Sequence, residues 1–118
     1  MVVKVELNLI PEIIVKEDIR SISTAFSKAL TPYIAPNIDI PAPDMGTNPL
    51  IMDYMQSSYN NNKRQKVYGV FTGKSMNMYG CEGRNGATGY GVYLCIKFWE
   101  EQNNIDLKGK TYILQGYG

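Results

Sequence analysis

Apolar and polar residues alternate from Val3 to Leu9, with Val3, Val5, Leu7 and Leu9 on one side and Lys4, Glu6 and Asn8 on the other. A period of two predicts a half-buried strand, which Pro11 ends. From Lys16 the period lengthens. Ile19, Ile22, Phe26 and Leu30 recur at spacings of three and four, so they share one helical face and are expected to meet the core. Glu17 and Asp18 fall in the first turn of this helix, where its dipole favours negative charge, and Pro32 stops it.

Four prolines then shape the chain: Pro36, Pro41, Pro43 and Pro49. Each fixes its own φ and extends the residue before it, which predicts a stiff segment from Ile38 to Asp44. Asn48 followed by Pro49 has the form of an N-cap with proline at the first helical position. A short helix carrying Ile51, Tyr54, Met55 and Tyr59 is expected next, then a polar surface loop from Asn60 to Lys66 and a short strand from Val67 to Thr72. A glycine-dense stretch, Gly73 to Gly91, divides the chain, with a boundary expected between 1–76 and 77–118. Beyond it, Ala87, Gly91, Leu94, Cys95 and Phe98 form a second helical stripe, ended by the polar run Glu100 to Asn104. Lys110 to Gln115 reads as a buried strand leading into Gly116-Tyr117-Gly118. The alternation of strand and helix patterns places the chain in the α/β class.

Composition narrows the chemistry more than the fold. The 118 residues are 44% hydrophobic and 19% charged, as in a globular domain. Twelve basic residues against eleven acidic ones leave +1, too balanced for a nucleic-acid partner and without the polybasic patch that a membrane surface would attract. No apolar run approaches the ~20 residues of a membrane helix. Two cysteines, Cys81 and Cys95, make no disulfide scaffold and suit a reducing cytoplasm. There is no histidine, which removes Ser-His-Asp and Cys-His catalysis together with the commonest metal ligand, and two thiols do not make a structural zinc site.

The remaining candidates are few. Asp39 and Asp44 lie on the proline-stiffened segment, either capping backbone amides or, on rigid backbone, held for proton transfer. Arg84 lies among glycines with Asn85 and Thr88; its fork suits a carboxylate, and an exposed surface arginine is the alternative. Gly73-Lys74-Ser75 is not a phosphate loop, because Gly69 and Gly73 stand one residue too close. A strand followed by Gly116-x-Gly118 is how a dinucleotide-binding turn begins, although half a signature is also what a plain strand-turn looks like.

Three longer blocks are more specific. Pro36-Asn37-Ile38-Asp39-Ile40-Pro41-Ala42-Pro43-Asp44-Met45-Gly46-Thr47-Asn48-Pro49 resembles the substrate-domain motif of glutamate dehydrogenases. Thr72-Gly73-Lys74 and then Gly80 to Val92 resemble that family's next signature. Leu107 to Thr111 with Gln115 to Gly118 resembles its first nucleotide-binding strand and turn, and all three blocks stand in the same order and spacing. The resemblance implies part of an α/β substrate and oligomerisation domain over 1–76, followed over 77–118 by the first helix and strand of a Rossmann-like domain. It implies that the chain is a fragment. In the family's order, the lysines that bind the substrate and assist catalysis precede Met1, and the rest of the nucleotide domain follows Gly118. The 118 residues alone are then expected to be inactive.

For individual residues, the resemblance implies that Asp44 assists proton transfer at the amino group and that Arg84 lies near the substrate carboxylate. It also implies that Thr88 contacts the nicotinamide end of NAD or NADP and that Gly116 and Gly118 open the pyrophosphate turn. The implied partners are L-glutamate, 2-oxoglutarate and ammonia, in a homo-hexamer. Ser75, Tyr79, Cys81 and Tyr90 replace the family's usual Pro, Gly, Ser or Ile, and Arg, while Tyr54 and Ser57 replace Trp and Asp. None of these is a carried-over site, and together they mark a divergent member. A leucine, valine or phenylalanine dehydrogenase is the near alternative, and a degenerate, non-catalytic subunit-interaction module is the distant one.

Overall fold

In the computed structural model, which describes Lys4–Val5 and residues 15–116, helix α1 runs from Lys16 to Leu30. Glu17 and Asp18 occupy its first turn and Lys28 its last, each matched to the helix dipole. The face it buries is not its most apolar one. Ser23 and Ser27 are fully buried, whereas Ile22 and Phe26 stay 37% and 38% exposed. Of the predicted stripe, Ile19 and Leu30 alone pack against the core. The reason is close helix contact through small hydroxyl residues: Ser27 Oγ donates to the Met55 carbonyl at 2.7 Å, and Ser58 Oγ donates to Thr24 at 3.0 Å. Ser23 and Thr31 donate to carbonyls four residues back, so no buried hydroxyl of α1 is left unpaired.

Helix α2, Pro49–Lys63, starts as expected. Asn48 Oδ1 accepts the Ile51 amide at 3.0 Å, and Pro49, with no amide to satisfy, begins the first turn. The helix outruns the expected loop by one turn. It closes at Arg64, whose left-handed backbone lets the Gln65 amide reach the Asn60 carbonyl. Buried Gln56 donates to the Val67 carbonyl and to Asn60 Oδ1, which in turn accepts the Val67 amide, so side chains of α2 hold the returning chain. Ile34, Ile51, Met52, Met55, Tyr59, Val70 and Phe71 form the core of this first unit.

Of the strand expected over Val3 to Leu9, Lys4–Val5 is described: as β1 it pairs in parallel with β2, Ala42–Pro43, Lys4 opposite Ala42 and Val5 opposite Pro43. Helix α1 lies between them in sequence, the kind of crossover that parallel pairing requires. The second expected strand does not form. Residues 65–75 are neither helix nor strand, although Val70 and Phe71 are buried, and one backbone bond, Thr72 N–H to the Pro41 carbonyl at 3.0 Å, replaces a ladder.

The chain divides into two compact units, Met1–Arg84 and Asn85–Gly118. Helix α3, Arg84–Asn103, covers the second stripe, yet none of its residues is buried, and Leu94 and Glu100 are only half-buried. The expected buried strand from Lys110 to Gln115 is corrected as well. It is exposed and unpaired among the described residues, with Ile113 99% accessible. An apolar run becomes a strand only when a neighbour satisfies its amides and carbonyls, and no described segment does so here.

Candidate functional site

The proline-rich segment and the stretch after Tyr68 build one cavity of about 510 Å3 in the first unit. Ile40, Ala42, Phe71, Lys74, Cys81 and Arg84 are among its walls. Two contacts set its shape. The Thr72 amide donates to the Pro41 carbonyl, and Gly73 at φ +67° lies against the Pro43 ring, where a Cβ would collide. Glycine is needed twice over at position 73, for its backbone angle and for the space. A Cβ at Gly80 would likewise meet the Lys74 carbonyl oxygen. The Ser75 amide donates to Asp53 Oδ1 at 3.0 Å, which ties this wall to α2.

Lys74 is the unexpected member. It is only 8% exposed, and its ammonium donates to the Tyr68 carbonyl at 2.8 Å and to the Phe71 carbonyl. Burial pushes its pKa below the usual lysine value, while the nearby charge of Asp53 pulls the other way. Nothing in the polar and apolar pattern marks this lysine as buried. Its one signal is its place in a short Thr-Gly-Lys block immediately after the apolar pair Val70-Phe71.

Among the expected site residues, Arg84 lines this cavity and is exposed, so its guanidinium is open to a carboxylate. Asp44 stands one residue after β2, half-buried, with Oδ1 accepting the Met45 amide at 3.0 Å. Its backbone is held by Thr47, whose Oγ1 accepts the Asp44 amide and donates to the Asp44 carbonyl. Asp44 is not itself among the residues lining the cavity. Asp39 instead turns its carboxylate to the Ile40 amide and bridges Ala35, a local turn role. A separate concavity of about 550 Å3 near Arg64, Lys66 and Met78 is lined by no carboxylate.

In the second unit, Thr88 is exposed in the first turns of α3. Gly116 has φ +80°, and nothing lies within 4 Å of where a Cβ would point. Gly83 and Gly109 share that left-handed backbone and open surroundings. Gly118 lies outside the described residues.

Residues 7–61 match the family model of the Glu/Leu/Phe/Val dehydrogenase dimerisation domain. The chain is similar to the cryptic catabolic NAD-specific glutamate dehydrogenase of Bacillus subtilis, 35% identical over 101 residues, covering 86% of this chain and 24% of that protein. It is also similar to the glutamate dehydrogenase of Aeropyrum pernix, 33% identical over 108 residues, 92% of this chain and 26% of the other. The Leu-bound hetero-hexameric glutamate dehydrogenase of Thermus thermophilus shares its fold, with a TM-score of 0.79 and 28% identity over 84% of this chain and 24% of that one. The chain thus spans about a quarter of the length of the relatives it matches.

Proposed function

Because this chain belongs to the Glu/Leu/Phe/Val dehydrogenase family, we propose that it serves an oxidoreductase that reversibly deaminates L-glutamate to 2-oxoglutarate and ammonia. The observation that carries this reading is the Pro41–Pro43 segment, held by Thr72 and Gly73 and followed directly by Asp44, with Ala42 of that segment and Arg84 lining one cavity. NAD, when bound, supplies the acceptor for the hydride that leaves Cα of glutamate. Its use is supported by the similarity to the NAD-specific glutamate dehydrogenase of Bacillus subtilis. Thr88 would hold its nicotinamide end, and Gly116 and Gly118 its pyrophosphate.

Within this chain, Asp44 takes and returns the protons of the amino group and of the water that adds to the iminium carbon, and Arg84 pairs with a substrate carboxylate. The parent assembles as a homo-hexamer. The match to a dimerisation domain supports self-association, and Ile22 and Phe26 leave a partly exposed apolar face for it. Cys81 and Cys95 are free thiols, which suits the cytoplasm.

The test is a complete enzyme carrying this segment, assayed with glutamate, leucine, valine and phenylalanine, each with NAD and with NADP. Glutamate with NAD is expected to give the highest turnover. Preference for a branched or aromatic amino acid would sink the glutamate assignment. No amino-acid-dependent reduction with any pair would leave the chain a subunit-interaction module.

A further inference from the structure

Residues 65–75 have no helix or sheet ladder, yet they carry the buried pair Val70-Phe71 and one wall of the cavity. A segment of this kind needs donors from elsewhere to fix its carbonyls. Lys74 supplies them: a single ammonium, with three hydrogens to give, reaches the carbonyls of both Tyr68 and Phe71. Immediately after Phe71, the Thr72 amide takes the Pro41 carbonyl, and Gly73 then seats against Pro43. Asp44 follows Pro43 directly.

We infer that Lys74 is a positioning residue: its ammonium closes the turn at 68–74 on itself as a latch, and the turn so held presents Thr72 and Gly73 to the Pro41–Pro43 segment that leads into Asp44. Burying an ammonium is costly in itself, so the contribution of Lys74 lies in geometry rather than in net stability. An uncharged side chain of the same length fills the space but leaves both carbonyls without a donor. No role in the chemistry is assigned to the lysine. It acts through the segment it holds. The latch stands on the hydrogen bonds, and its bearing on turnover rests on the role proposed above for Asp44.

The test starts with the 118-residue chain and Lys74→Met. Charge-assisted hydrogen bonds are roughly twice as strong as neutral ones, so the Thr72 amide is expected to exchange about tenfold faster or more, while amides in the middle of α2 keep their protection. Unchanged exchange at Thr72 overturns the latch. Should the variant fail to fold, the wild-type chain decides. The Lys74 ammonium hydrogens should exchange far more slowly than those of exposed Lys97, and equal rates overturn the latch. In a complete enzyme carrying the segment, Lys74→Met should lower kcat by about tenfold with KM nearly unchanged, the pattern of a misplaced reacting group. Faster Thr72 exchange with full turnover would break the link to Asp44. Full activity in Asp44→Asn would refute the role of Asp44 while the exchange result stands.

Discussion

The Ser27 hydroxyl donates to the Met55 carbonyl oxygen at 2.7 Å, joining α1 to α2 at a point with no room for a larger side chain. Both groups are buried, so the contact sets the helix separation rather than decorating it. Ser27→Ala is expected to cost about 1 kcal/mol, for the hydrogen bond alone. Ser27→Leu forces the helices apart and should cost about 1–3 kcal/mol. Ile22→Ala, on the more exposed face, should cost about 0.5 kcal/mol. Urea denaturation gives all three, and Ile22→Ala proving the most harmful would mean the packed face has been misassigned.

Asn48 begins α2 through its side-chain bond to the Ile51 amide. Asn48→Ala should lower stability by about 1 kcal/mol, while Asn48→Asp keeps an acceptor at the positive end of the helix and should lose little. Thermal melts followed by circular dichroism separate the two. Equal losses would show that the cap is incidental.

Lys74 gives stability a pH dependence whose sign is fixed by its environment. Burial lowers its pKa in the folded chain below the ordinary 10.5, so the unfolded chain binds the proton more readily. Stability from this group therefore rises with pH: it is fully present above the unfolded value and lost as pH falls through the folded one. The stability difference between wild type and Lys74→Met should move in favour of the wild type as the solution is taken from neutral toward alkaline pH. A difference that is flat, or that moves the other way, contradicts a desolvated ammonium.

In a complete enzyme carrying this segment, Asp44→Asn keeps the shape of the side chain but cannot accept a proton. Turnover should fall by about 10²–10⁴-fold with a much smaller change in substrate binding. Asp39→Asn is the control, because its carboxylate meets the Ile40 amide in a local turn. It should affect stability at most, with turnover down by less than about tenfold. Equal losses in two folded variants would make the segment structural only.

Tyr112, Ile113 and Leu114 are exposed together near the end of the chain. Contiguous apolar surface of this kind promotes association. Removing residues after Asn104 is expected to raise the soluble yield and reduce light scattering at a given concentration. No gain on truncation would show that this run does not drive association.

Much of the first unit was legible because its signals are local. Asn48-Pro49 announces a helix start, Pro32 a helix end, and the spacing from Ile19 to Leu30 a helix. What misled was the assumption that the most apolar stripe faces inward. The α1–α2 contact is close, so it selects Ser23 and Ser27 over Ile22 and Phe26, a tertiary choice that no period reveals. The strand expected from Val67 to Thr72 failed for a related reason. Its apolar pair is buried, but its backbone is satisfied by Lys74 and Pro41 rather than by a neighbouring strand. Of the residues that resemblance singles out, Arg84 lines the cavity and Asp44 does not, whereas the burial of Lys74 was hidden because a buried lysine looks like a surface one until its partners are known.

Prolines 41 and 43 flank Ala42 in β2, and neither has an amide hydrogen to offer. The Pro41 carbonyl is already taken by Thr72, and β1 occupies one side of the strand. Another chain attempting to add itself here would find two of three donors missing along Pro41–Pro43. The site therefore carries its own protection against sheet growth: the rings that stiffen the backbone before Asp44 also make it a poor template for a foreign strand.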